Sequence, residues 1–155
     1  MRKIIATLIV TLIFVSCGSK KVKSDTSVIN TTETYISKIE NNKNLKEEIT
    51  EGALTDEKGF EDIGRFKYAV LFDKDTKELF RIKNIETAEV TVTEHYYFHN
   101  HNLVFVKSST PNQKEKKIYT NGDKKVVSSA HANDEDIKLL LEKARRFKNS
   151  YYRQE

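Results

Sequence analysis

The feature that most limits what this chain can fold into is Glu89–Lys107, EVTVTEHYYFHNHNLVFVK. Val, Thr, Tyr and Phe dominate it, and these residues fit a pleated, half-buried surface. Asn tolerates the left-handed backbone of a tight hairpin, so His99-Asn100-His101-Asn102 predicts a turn with Asn100-His101 as its two-residue loop. That register sets Phe98 opposite Leu103, Tyr96 opposite Phe105 and Glu94 opposite Lys107. Cross-strand partners share a face, so Val90, Val92, Tyr96, Phe98, Leu103 and Phe105 are expected to form one apolar surface able to found a core.

The segments around this hairpin extend it. Val28, Ile29, Thr32, Tyr35, Ile36 and Ile39 recur at helical spacing, which predicts a helix over Ser27–Asn41 that stops in the run Asn41-Asn42-Lys43-Asn44. Leu45–Thr50 reads as a short strand, and glycine-rich, acidic Gly52–Gly64 as irregular loop. Phe66–Phe72 and Glu78–Ile85 read as strands joined by Asp73–Lys77, with Val70 facing Phe80 and Tyr68 facing Ile82. Lys114–Thr120 and Lys124–Ala130 flank Asn121-Gly122, a strong hairpin signal. This last hairpin echoes the central one and is richer in lysine, as suits a sheet edge that must resist pairing with other chains.

Asn133 and Asp136 stand at the spacing of a helix capping box. Behind them Ile137, Leu140, Leu141, Ala144, Phe147 and Tyr151 make one apolar stripe, with acidic residues at the start and Lys and Arg toward the end. A single stripe must bury itself against something, and the sheet is the available surface. The expected fold is therefore α+β, an antiparallel β-meander packed by a C-terminal and an N-terminal helix in two layers.

The chain opens Met1-Arg2-Lys3 and runs through the uncharged stretch Ile4–Val15 to Ser16-Cys17-Gly18. A positive start, an apolar run of about 7–15 residues and a small residue at its end form a secretory signal. The run is shorter than the roughly 20 residues a membrane span needs. Phe14-Val15-Ser16-Cys17 resembles a bacterial lipobox: small Ser16 precedes the chain's one cysteine, while Phe14 and Val15 depart from the commonest pattern. The resemblance implies cleavage before Cys17 and lipid on it, and two or more acyl chains give stable anchoring. Gly18, not Asp, follows Cys17, and the resemblance to lipoprotein sorting in two-membrane bacteria then implies the outer membrane, facing the periplasm or the cell surface. The expected organisation is a signal peptide over 1–16, a lipidated flexible tether over 17–26 and a single α+β domain over 27–155.

From Cys17 onward the chain holds 25 Lys and Arg against 23 Asp and Glu, so its basic excess gives no case for nucleic acid. A lipidated Cys17 leaves no thiol for a disulfide, a nucleophile or a metal site. Phe66–Tyr151, with Tyr96-Tyr97-Phe98 followed by Asn100 and Leu103-Val104-Phe105, also resembles small lipoproteins of the Bacteroidota type. That resemblance supplies no catalytic residues.

Little in the sequence points to reaction chemistry. His95, His99 and His101 lie close together, but in a strand His95 and His99 are about 13–14 Å apart, too far for one zinc. They read as exposed strand and turn residues. Asp73 and Asp75 start like a calcium loop, but Lys77, Glu78 and Asn84 break the pattern. There is no Gly-x-Ser-x-Gly, no His-Glu-x-x-His and no phosphate-cradling glycine loop.

Charge is more informative. Glu33–Asp62 carries nine acidic and four basic residues, whereas Lys107–Lys125 and Ile137–Glu155 each carry six basic and two acidic. The expectation is a non-catalytic outer-membrane lipoprotein, anchored through lipid on Cys17. It takes no cofactor, metal or nucleic acid and binds another envelope component, preferentially a protein. An immunity or inhibitor lipoprotein, or an enzyme without a recognisable motif, are the alternatives.

Overall fold

Helix α1 (Asp25–Glu40) is followed by seven strands and a closing helix. The strands are β1 (Lys46–Thr55), β2 (Asp62–Phe72), β3 (Leu79–Thr87), β4 (Thr91–His99), β5 (Asn102–Ser109), β6 (Lys116–Thr120) and β7 (Val126–Ala130), and the helix is α2 (Asp134–Arg153). This computed structural model describes residues 25–56, 58–122 and 126–153, so the signal-like start and Cys17 lie outside the described residues. Each strand pairs antiparallel with the next, in the order β1 to β7, which is the expected meander. Asn100 and His101 both take left-handed backbone at the β4–β5 turn (φ 48° and 62°), as a two-residue hairpin loop requires.

The sheet carries two cores. Val70, Ile82, Tyr96, Phe98, Leu103, Val106 and Ile118 pack with Leu140 and Ala144 of α2. Leu71, Tyr97, Phe105 and Tyr119 pack with Ile39 of α1, joined by Tyr35 and Ile36. Neighbours in a strand point to opposite faces, so Tyr96 and Tyr97 head the two cores and the helices lie on opposite sides of the sheet. The architecture is helix, sheet, helix, where two layers were expected. Tyr97 is only 5% exposed, so the face expected to meet solvent at the central hairpin is a second core.

Two β-bulges explain the other departures. Phe98 does face Leu103, but Tyr96 faces Val106, Tyr97 faces Phe105 and Glu94 faces Ser108, because the register shifts at Val104. Phe105 thereby joins the α1 face, and Val90, 52% exposed, lies outside the strands altogether. A matching shift at Phe80 sets Val70 opposite Ile82 and Tyr68 opposite Asn84. An extra residue re-aims everything beyond it, and here both extra residues, Phe80 and Val104, pack against the α1-side core.

Gly52–Gly64 is the distal half of the β1–β2 hairpin, where irregular loop was expected. Its glycines permit close approach. A Cβ on Gly52 would lie 2.6 Å from the Phe66 ring, and one on Gly64 would lie 2.1 Å from the Thr87 carbonyl oxygen.

The capping box of α2 is formed: Asp136 N–H donates to Asn133 Oδ1 (2.8 Å) and Asn133 N–H to Asp136 Oδ2 (3.2 Å). From there α2 crosses the sheet obliquely. Asp136 pairs with Lys116 of β6 at 2.6 Å, Lys143 reaches Glu94 of β4, and the Phe147 and Tyr151 rings meet Tyr68 and Phe72 of β2. Truncating a packed Leu costs about 2–5 kcal/mol. Leu140→Ala (4% exposed in the native fold) is therefore expected to lower the denaturation midpoint sharply, and Leu139→Ala (56% exposed) to leave it within error in the same urea melts.

Candidate functional site

The antiparallel register lines residues up in rows across the strands. On the α1 face the first row is Glu47, Leu71, Arg81, Tyr97, Phe105 and Tyr119, and α1 lies on it. Arg81 Nη1 donates to both oxygens of Glu40 at the end of α1 (2.6 Å each), and Arg81 Nη2 donates to Glu47. Tyr97 Oη donates to the same Glu40 at 3.0 Å, and Tyr119 Oη donates to Glu33. Burial lowers the Arg81 pKa, but hydrogen bonding and charge from Glu40 outweigh it and hold the value above the ordinary one. Burial, then nearby carboxylate, pushes the Tyr97 and Tyr119 phenols well up, so both remain donors.

The β3–β4 ladder stops at Tyr97 and the β5–β6 ladder at Phe105. Just beyond these ends, Tyr35 Oη donates to the Phe98 carbonyl and Thr120 Oγ1 to that of Leu103. Buried carbonyls need such partners.

The second row is different in kind. Ile49, Ala69, Lys83, His95, Lys107 and Lys117 are successive cross-strand partners from β1 to β6. Three lysines and a histidine thus occupy four adjacent strands, about 4.8 Å apart. Like charges directly opposite one another destabilise a sheet, and Lys107 faces Lys117 directly. One carboxylate serves both: Glu115 lies 3.4 Å from Lys107 and 3.6 Å from Lys117. Burial raises the Glu115 pKa, but Ser109, Lys107 and Lys117 together hold it below the ordinary range. Lys83 makes no ion pair among the described residues.

Beyond it come rows of Glu51, Lys67, Ile85, Thr93 and Ser109, then Ala53, Arg65, Thr87 and Thr91. Lys67 and Glu51 pair at 2.8 Å. These outer rows lie beyond α1, and Ile49 on this side is 51% exposed. Cations outnumber carboxylates here, with Lys83, Lys107, Lys117, Lys67 and Arg65 against Glu51, Asp62 and Glu115. The buried side-chain nitrogens left without a partner among the described residues are Arg81 Nε in the row under α1 and His95 Nδ1 in the next.

The histidines do not converge. His95 stacks on Tyr97 (6.2 Å between ring centres), His99 lies 4.5 Å from the Tyr35 ring, and His101 Nδ1 is 2.7 Å from Tyr152 Oη on the α2 side. His95 is half-buried, where an exposed strand residue was expected. Among the described residues no group of three or more His, Cys, Asp or Glu is placed to hold a metal ion.

On the α2 face the charges are matched. Glu94, 3% exposed, accepts from Lys143 (2.9 Å to each oxygen), Tyr96 (2.8 Å) and Asn84 (3.2 Å). Glu86 lies 3.5 Å from the same Lys143 and accepts from Asn84. This is a closed structural network. A cavity of about 480 Å³ beside it combines the rings of Phe66, Tyr68, Phe147 and Tyr151 with polar Asn84, Glu86 and Arg146. Another of about 650 Å³, between α1 and the β4–β5 turn, holds His99, Tyr35 and Thr120 and has no carboxylate in its lining.

Burial, then Lys107, Lys83 and Arg81, lowers the His95 pKa from 6.5 to about 4. Between these values the unfolded chain binds more protons than the folded one, so the contribution of neutral His95 is full above pH 6.5 and shrinks as the pH falls toward 4. The wild-type melting midpoint is expected to decline from pH 6.5 to 4.5, and His95→Gln to flatten that slope. An unchanged slope in the variant would show that His95 is not held neutral by its surroundings. No protein-family model, curated protein or solved structure matches this chain, which leaves its function to be read from the charge and shape of its own surface.

Proposed function

We propose that this protein is a non-catalytic lipoprotein, anchored in the outer membrane through lipid on Cys17, that binds a protein of the envelope through the open half of the α1 face. The anchor is supported by the sequence alone, in the short apolar run ending at Ser16-Cys17. The binding role is carried by the second row of that face. Lys83, Lys107 and Lys117 are held side by side around His95, with Glu115 the carboxylate paired to two of them. A sheet face serving only to fold would gain by spreading such charges. Exposed Ile49 ends the same row and half-buried Ile85 lies in the next, giving a mixed apolar and cationic surface suited to a protein.

Two measurements test this reading. Mass spectrometry of envelope-extracted protein is expected to show residues 1–16 removed and acyl chains on Cys17, with Cys17→Ser protein released from the membrane fraction. A photo-reactive residue in place of Ile85 is expected to cross-link one discrete envelope protein in cells, whereas one in place of Leu139 on α2 is expected to give none. An intact amino terminus contradicts the anchor. Identical cross-linking from both positions, or none from Ile85, contradicts the face.

A further inference from the structure

We propose that the row Lys83–His95–Lys107–Lys117 binds an extended acidic peptide segment of the partner, laid across the strands alongside α1 with carboxylates at alternate positions. This rests on the interaction face proposed above and names the chemistry of its occupant.

Charge and spacing carry the proposal. Lys83 and Lys117 stand three strands apart, about 14 Å. Three carboxylates at alternate positions of an extended chain span about 13–14 Å on one side. Such a segment runs the length of the row and brings carboxylates to its lysines. It also relieves the repulsion between Lys107 and Lys117, which share Glu115.

Shape selects a chain over a flat anionic membrane. The row lies two residues along the strands from the one α1 covers, about 7 Å away. It therefore sits at the foot of a helix about 10 Å thick. A planar headgroup layer would rest on the helix, whereas a single extended strand fits beside it.

Position agrees. α1 touches β6 and β7, and Val28 and Thr31 near its start line one cavity with Thr120 and Asn121 at the β6–β7 turn. Helix α1 therefore starts at that end of the strands, and the open rows lie toward the other end. The tether itself is no candidate occupant, since Lys20, Lys21 and Lys23 give it the same sign as the row.

The test uses the full chain in uncharged detergent and a fluorescein-labelled Ser-Glu-Ser-Glu-Ser-Glu-Ser peptide, followed by fluorescence anisotropy. Binding is expected, weakening as salt is added, and Lys83→Glu is expected to lower affinity about tenfold or more. Lys83 has no ion pair to lose among the described residues, so this change is expected to spare the fold, and its melting curve checks that. Arg145→Glu, on the exposed side of α2, is expected to leave affinity unchanged. A Ser-Ser-Glu-Glu-Glu-Ser-Ser peptide is expected to bind more weakly.

Equal affinity in Lys83→Glu, loss in Arg145→Glu, or no preference for alternating glutamates overturns the proposal. Lys83-dependent binding to phosphatidylglycerol vesicles without peptide binding also overturns it, and assigns the row to headgroups. If the peptide fails while the Ile85 probe still captures a protein, the acidic-segment inference falls and the functional reading stands. If both fail, both fall.

Discussion

The pleat of β4 is the constraint on which the rest depends. Tyr96 and Tyr97 are adjacent in sequence and must point to opposite sides, and both are buried. A sheet whose central strand is apolar on both faces needs cover on both, and the chain supplies one helix for each. The two helices differ in what they leave bare. α2 crosses its face obliquely, from Lys116 on β6 to the rings of β2. α1 has 16 residues, about 24 Å of helix, laid along the first row, with Glu40 at its end meeting Arg81 and Tyr97. The outer rows of its face are left without a helix.

The two faces treat charge in opposite ways. Under α2, buried Glu94 and partly exposed Glu86 share Lys143, with Tyr96 and Asn84 joining, and removing Lys143 would strand the buried Glu94 charge. Beside α1, Arg81 is likewise matched by Glu40 and Glu47. One row further out the matching stops, and lysines stand in register across neighbouring strands. The acidic excess of Glu33–Asp62 does not neutralise them. Glu40 and Glu47 go to Arg81, Glu48 to Lys46, Glu51 to Lys67 and Glu33 to Tyr119.

Much of this fold could be read from the sequence because it depends on local periodicity. The helical spacing in α1 and α2, the Asn133–Asp136 cap, the Asn100-His101 turn and the meander order all follow from neighbours a few residues apart. The bulges could not be read so. Leu79-Phe80 and Leu103-Val104-Phe105-Val106 are unbroken apolar runs, and such a run fits either register until tertiary packing selects one. Gly52 and Gly64 suggested loop because the ring and the carbonyl that approach them come from other strands. The cationic row was hidden for a similar reason. Its members are scattered from Lys83 to Lys117, and the Val104 bulge puts Lys107 beside His95, where an unbulged hairpin places it opposite Glu94. The cluster His95, His99, His101, prominent in sequence, disperses to different surroundings.

The central claim is that this row holds like charges together at a cost to the fold. Lys83→Met keeps the aliphatic stem, removes one charge and breaks no ion pair among the described residues. Urea denaturation of wild type and variant at low and high salt measures the cost directly. If the lysines are held in mutual repulsion, the variant is more stable at low salt by roughly 0.5 kcal/mol, and added salt closes the gap by screening it. A variant less stable than wild type at low salt would contradict the account, because it would show that Lys83 supports the fold and is not held in place for a partner.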